Sequence, residues 1–319
     1  MTNRIRIAVL AGGWSGERAV SLNSGRAVYD ALNRERYRVA MYDPREDLPI
    51  LMRKSTEIDL AFILLHGAFG EDGRLQGMLD VMGIPFVGSG VLASAMAMNK
   101  RVAKRVFEGA GLHVADDVIL RPHNRLAEEE VMDILGLPVV IKPVSEGSSL
   151  GISIAGNREA LSTGIQKAFQ HDEEVMVEKC IKGTEITCCI LGGEELEALP
   201  LVEIEPTEGY TFFDYEAKYT PGATREICPA PIPRSIAEAV ADAARTAHRV
   251  LGCSVWSRTD FIIQGDVPYV LETNTIPGMT ETSLFPLSAR AAGMTLSSLL
   301  DKMISLALEE LEESLRPAV

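Results

Sequence analysis

Near the C-terminus Arg258-Thr-Asp260 leads into residues 261–264, then a Gly265-Asp266 pair, then residues 268–271 and Glu272-Thr-Asn274. Two short apolar runs parted by Gly-Asp predict a β-hairpin, and that hairpin constrains the chain more than any other feature. Side chains two apart on a strand share a face, so Arg258 joins Asp260 and Glu272 joins Asn274. Both pairs then converge at one end of a sheet. Two carboxylates and an amide oxygen suit Mg²⁺, a hard cation usually shared with phosphates and water. A guanidinium beside them suits an anionic oxygen as charge develops. Ordinary solvent-facing strand ends are the alternative.

The first part of the chain has a strand–turn–helix rhythm. Residues 5–10 form an apolar strand, Gly12-Gly13 a turn, and residues 21–32 have helical spacing. Strands follow at 39–42 and 60–65, a helix at 76–82, and then Pro85-Phe-Val-Gly. Such alternation through about residue 95 predicts a small α/β domain with a parallel sheet. Parallel sheets bind ligands beyond their carboxyl ends, where residues 12–17 and 66–73 would lie. Glu17 there either complements a helix dipole or meets a substrate ammonium. His66 either caps its glycine-rich loop or contacts a ligand.

A central α+β domain of antiparallel character follows. Its helices are 99–109, carrying Lys100, Lys104 and Arg105, then 128–135 and 160–169; its strands are 138–142, 152–154 and 174–179. Between the first two strands lies Glu146-Gly-Ser148-Ser-Leu-Gly151, whose small residues would let backbone N–H groups cradle phosphate, with Lys142 reaching in. It is not a Walker A loop, and a plain structural turn is the other reading. Glu178-Lys179-Cys180-Ile181 is hinge-like and could offer backbone to an adenine edge, with Glu185 near a ribose; alternatively these are surface carboxylates. Strands at 185–191 and 197–204 flank Gly192-Gly193. The irregular stretch 206–228 carries Phe212-Phe-Asp-Tyr-Glu-Ala-Lys218-Tyr219, a candidate lid. Helices at 235–251, with Ser235 as its expected cap, and at 296–315 complete the chain.

With 319 residues, 46% of them hydrophobic and 24% charged, the chain reads as a soluble globular protein of two or three domains. A net charge of -14 with no basic tract argues against nucleic acid. Five cysteines without a CxxC pair imply free thiols in a reducing compartment, and Cys188 and Cys189 should face opposite sides of a strand. No HxxH or HExxH spacing suggests zinc. No signal-type or membrane-length apolar run occurs, so a cytoplasmic protein is expected.

In order along the chain, Leu10-Ala-Gly-Gly-Trp-Ser-Gly-Glu-Arg18, His66-Gly-Ala-Phe-Gly-Glu-Asp-Gly73, Lys142-Pro-Val-Ser-Glu-Gly-Ser-Ser-Leu-Gly151, Phe213-Asp-Tyr-Glu-Ala-Lys-Tyr219 and Glu272-Thr-Asn-Thr-Ile-Pro-Gly-Met-Thr280 resemble the D-alanine–D-alanine ligase family of the ATP-grasp superfamily. The likeness spans nearly the whole chain, to Ser283-Leu-Phe-Pro286. It implies an ATP-grasp fold behind an N-terminal parallel-sheet domain. The implied units are residues 1–97, 98–184 and 185–319, the last with the metal site and lid loop 206–228. It implies ATP-dependent joining of two D-alanines through D-alanyl phosphate, for the peptidoglycan precursor.

By that likeness Glu17 would hold the first ammonium, His66 would support the first carboxylate, and Ser148 and Tyr219 would link to Glu17 in a network closing the lid. Arg258 and the Gly278 N–H would stabilise the oxyanion. Lys218, Ser283 and Leu284 would bound the second D-alanine. Lys100, Lys142 and Ser148 would serve the phosphates; Glu178, Lys179, Ile181 and Glu185 the nucleoside. Asp260, Glu272 and Asn274 would hold two Mg²⁺ ions, with Mn²⁺ an acceptable substitute. A homodimer is expected. Two departures stand out: Ala19 where the family motif usually has Glu, and Cys180 where an aromatic or apolar residue often covers adenine. Another ATP-grasp ligase, a nucleotide-binding regulator and a dinucleotide oxidoreductase are the competing readings, the last lacking GxGxxG after the first strand.

Overall fold

The computed structural model describes residues 4–123, 125–147, 151–207 and 224–314. Its first sheet is parallel, in the order β2-β1-β3-β4. It is built from β1 (Ile5–Leu10), α1 (Arg18–Ala31), β2 (Tyr37–Tyr42), α2 (Pro44–Arg53), β3 (Leu60–Ile63), α3 (Arg74–Val81), β4 (Phe86–Val87) and α4 (Val91–Met98). Every residue of β3 is buried, as a strand covered on both faces requires. The expected rhythm is present, with two additions. Helix α2 opens on Asp43, whose side chain accepts from the Arg45 N–H, and on Pro44 in the first turn; α4 is apolar almost throughout.

The second sheet is antiparallel, ordered β5-β8-β6-β7. It follows α5 (Lys100–Gly109) and comprises β5 (Asp117–Leu120), α6 (Glu128–Leu135), β6 (Val139–Pro143), β7 (Ser153–Ala155), α7 (Arg158–Ala168) and β8 (Val175–Lys179). Strand β5, on the sheet's edge, was not expected. The remaining elements are β9 (Thr184–Gly192), β10 (Leu196–Ala198), β11 (Val202–Pro206), β12 (Thr224–Ile227), α8 (Arg234–Leu251), β13 (Val255–Gln264), β14 (Val267–Asn274), α9 (Leu284–Ala291) and α10 (Leu296–Ser314). Their antiparallel sheet runs β12-β11-β9-β13-β14, with β10 beside β9.

Three local expectations are corrected. The stretch 206–228 is not irregular throughout: β11 runs to Pro206 and β12 (Thr224–Ile227) pairs antiparallel with it, while residues 208–223 lie outside the described residues. The run 197–204 is not one strand: β10 and β11 are parted at Leu199-Pro200-Leu201, where Leu199 N–H turns to the Cys189 carbonyl and Pro200 has no N–H to give. Ser235 does not cap α8. Pro233 occupies the N-cap position, its carbonyl accepting from Ile236 and Ala237 N–H, which leaves Ser235 inside the first turn.

The third sheet joins two cores. Cys189, Trp256 and Phe285 pack with the first sheet and α10, whereas Cys188, Ile190 and Phe261 pack with α8 on the opposite face. The adjacent cysteines do face opposite sides, and all five are free thiols. Helix α5 sends Ala103 and Phe107 into the α8 core. A third core lies between the second sheet and helices α6 and α7.

Candidate active site

The late hairpin forms as its spacing requires. Arg258 lies opposite Asn274 and Asp260 opposite Glu272, with a bulge just after Asp260. Arg258 grips Asp260 with both prongs of its guanidinium, Nε to Oδ1 at 2.8 Å and Nη2 to Oδ2 at 2.8 Å. Thr187 Oγ1 donates to Asp260 Oδ1 at 2.5 Å, and the Asn274 amide reaches Oδ2 at 3.3 Å. Burial opposes the Arg258 charge, but Asp260 more than offsets it and holds the guanidinium above its ordinary pKa. Asp260, Glu272 and Asn274 are hard oxygen donors at one strand end, a set that fits Mg²⁺. Among the described residues no group of three or more His, Cys, Asp or Glu gathers, so an ion here would draw its other ligands from phosphate or water.

Beside the hairpin lies a cavity of about 500 Å³ lined by Glu17, His66, Arg258, Gly278, Ser283 and Leu284. Glu17 is the N-cap residue of α1, yet its side chain makes no capping bond. Its buried carboxylate instead enters the space between two loops. Gly67 has a φ of +69°, and a Cβ there would come 2.9 Å from Glu17 Oε2; one on Gly147 would come 3.2 Å away. Glycine is therefore required at Gly67 on both counts. Ser15 Oγ fastens the loops by donating to the His66 carbonyl at 2.6 Å.

The His66 ring is buried, with Nε2 3.4 Å from Ser24 Oγ. Burial pulls its pKa below the usual 6.5 against the pull of Glu17 and the Ile276 carbonyl, so the ring is neutral at neutral pH. Glu71, which lines the same cavity, had no role assigned from the sequence. It accepts from Gly67 N–H at 2.7 Å, and burial together with the Glu17 charge pushes its carboxyl up to about 8. A carboxylate set among glycines was the available signal. Ser283 stands at the N-cap position of α9, and its Oγ accepts from Thr280 N–H at 3.0 Å.

A second cavity, of about 810 Å³, is lined by Lys142, Lys179, Ile181, Glu185 and, shared with the first, Lys100 and Glu272. Lys100 Nζ donates to the Glu146 carbonyl and lies 3.8 Å from Glu272 Oε2, at the boundary between the two spaces. Lys142 Nζ pairs with Glu178 Oε1 at 2.5 Å, while Glu178 Oε2 takes Lys104 Nζ at 3.0 Å. Burial would raise the Glu178 pKa, but the two lysines outweigh it and keep it below the carboxylate range. Ile152, Ile154, Cys180 and Leu271 supply apolar wall to this cavity. Arg18, beside Ala19, pairs with Asp43. Ser148, Lys218 and Tyr219 lie outside the described residues.

Residues 106–305 match the family model for the D-ala D-ala ligase C-terminus, and residues 49–89 match the one for its N-terminus. The chain belongs to the D-alanine–D-alanine ligase family. Across 97% of its length it is 50% identical to a D-alanine–D-alanine ligase of Syntrophobacter fumaroxidans, covering 99% of that protein. Among solved structures, a Bacillus anthracis D-alanine–D-alanine ligase complexed with ATP superposes with a TM-score of 0.86 at 35% identity, over 97% of this chain and 99% of that one. The VanG D-Ala:D-Ser ligase of Enterococcus faecalis superposes with a TM-score of 0.81 at 33% identity, over 96% of this chain and 100% of that one. The ATP-grasp architecture expected from the motifs is the one these ligases share. No single helix among the described residues is long and apolar enough to cross a membrane.

Proposed function

We propose that the chain joins two D-alanines into D-alanyl-D-alanine for the peptidoglycan precursor, converting ATP to ADP and phosphate. The observation that carries this reading is the meeting of two cavities at Lys100 and Glu272, one lined by amino-acid-sized polar groups and the other by phosphate-seeking lysines. Glu17 holds the ammonium of the first D-alanine and neutral His66 supports its carboxylate. That carboxylate attacks the γ-phosphoryl group, giving D-alanyl phosphate and ADP. The second D-alanine, bounded by Ser283, Leu284 and Lys218, attacks the acyl carbon through its amine, and phosphate departs. Arg258 and the Gly278 N–H stabilise the tetrahedral oxyanion.

Lys100, Lys142 and Ser148 hold phosphates; Lys179, Ile181 and Glu185 face the nucleoside, with Glu178 beneath them. Asp260, Glu272 and Asn274 would hold two Mg²⁺ ions, or Mn²⁺, which would neutralise phosphate charge. By the family likeness Ser148 and Tyr219, both outside the described residues, would link to Glu17 and help shield the acyl phosphate from water. Residues 1–97, 98–184 and 185–319 act as the amino-acid, nucleotide and metal-bearing units of a cytoplasmic homodimer.

The test is incubation with ATP, Mg²⁺ and D-alanine, with D-serine, D-lactate and L-alanine as alternative second substrates. D-alanyl-D-alanine should form with one phosphate released per dipeptide. Phosphate release without dipeptide, or preferential coupling to D-serine or D-lactate, would overturn the reading.

A further inference from the structure

Lys104 is a buried lysine outside both cavity linings, one helical turn beyond Lys100 on α5. Its Nζ lies 3.0 Å from Glu178 Oε2 and 3.2 Å from Asp117 Oδ1. Asp117 and Glu178 face each other directly across β5 and β8. Like charges opposed on an antiparallel pair repel, and here both are buried, the Asp117 side chain being 1% exposed. The Lys104 ammonium bridges them. It also ties the second sheet to a helix whose Ala103 and Phe107 belong to the α8 core.

Among the described residues the other partner of Glu178 is Lys142, at 2.5 Å. A phosphate entering the second cavity competes with Glu178 for that Lys142 ammonium. If Lys142 turned toward the phosphate with no other cation present, Glu178 would remain a bare buried carboxylate opposite Asp117, at a heavy cost. Lys104 is placed to keep Glu178 neutralised while Lys142 turns.

We propose that Lys104 is a positioning residue for nucleotide binding: by holding Glu178 it frees Lys142 to engage phosphate. The inference rests on reading the second cavity as the ATP site. It adds a residue that touches neither substrate and acts through Glu178.

The experiment is a double-mutant cycle in the full chain between Lys104→Met and Glu178→Gln, reading KM for ATP and KM for D-alanine separately. Lys104→Met should raise KM for ATP tenfold or more and move KM for D-alanine less than twofold. In the Glu178→Gln background the carboxylate left beside Lys104 is Asp117, which Arg105 Nη2 also holds at 2.9 Å, so the same change should move KM for ATP less than threefold. Lys104→Gln, which keeps a donor without the charge, carries the test should Lys104→Met fail to fold. An unmoved KM for ATP, both KM values rising together, or an equal effect in both backgrounds overturns the proposal. A wild-type chain that forms no dipeptide from ATP and D-alanine would instead sink the reading of the site.

Discussion

At the scale of single residues, Arg258 carries two duties that the sequence pattern presented as one. Its fork was expected to face the reacting oxygen, and it lines the first cavity. It also makes two 2.8 Å bonds to Asp260, with side-chain exposures of only 13% and 9%. Removing one partner of such a buried pair leaves the other uncompensated, at about 3–5 kcal/mol. Losing an oxyanion donor separately lowers turnover by roughly 10²–10³-fold. Arg258→Ala should therefore lose both stability and turnover. Arg258→Lys keeps the charge but not the planar fork, so it should regain most of the melting temperature while turnover stays more than tenfold down. Measuring kcat and Tm on both variants checks this; parallel recovery of the two would show that Arg258 serves only to hold Asp260.

At the scale of elements, the hairpin of β13 and β14 was legible because alternation within eight or ten residues dictates which side chains share a face. The same locality explains what was missed. Val91–Met98 is small and apolar without a helical period, and Asp117–Leu120 is a four-residue edge strand. Residues 197–204 alternate well enough to suggest a single strand, and only the tertiary demand on Leu199 and Pro200 divides them. Distance in sequence hid more of the site than weak patterns did. Lys104 and Glu178 lie 74 residues apart, and nothing local to either marks the other as its partner. Glu71 was visible inside its motif, but its raised pKa comes first from burial and then from Glu17 arriving from another loop. The hairpin also yields a test of the metal reading. Glu272 is partly exposed, at 29%, and lies opposite Asp260, so Glu272→Gln should fold normally. It should need at least tenfold more Mg²⁺ for half-maximal phosphate release. An unchanged Mg²⁺ titration would remove Glu272 from the metal set.

At the scale of the whole molecule, the third sheet is clamped between two cores, and one of them encloses a titratable group unconnected with either cavity. His248 of α8 is 2% exposed, with Nδ1 2.7 Å from Ser257 Oγ on β13. Burial, aided by the neighbouring Arg249 charge, lowers its pKa from 6.5 to about 4. Between those values the unfolded chain binds a proton that the folded chain refuses, so stability falls as pH drops from about 6.5 toward 4. Glu71 acts in the opposite sense: the folded chain keeps its proton to about 8 and the unfolded one releases it near 4.5. Its stabilising contribution is full below about 4.5 and is lost as pH rises through about 8. The two contributions separate cleanly by substitution. His248→Gln retains a partner for Ser257 without titrating, and it should flatten the acid side alone. Denaturant unfolding at pH 7 and about pH 4.5 should show wild type losing roughly 2–3 kcal/mol more than His248→Gln between the two. Equal losses would mean that His248 is solvated in the folded chain, and that the α8 face of the third sheet is looser than its packing indicates.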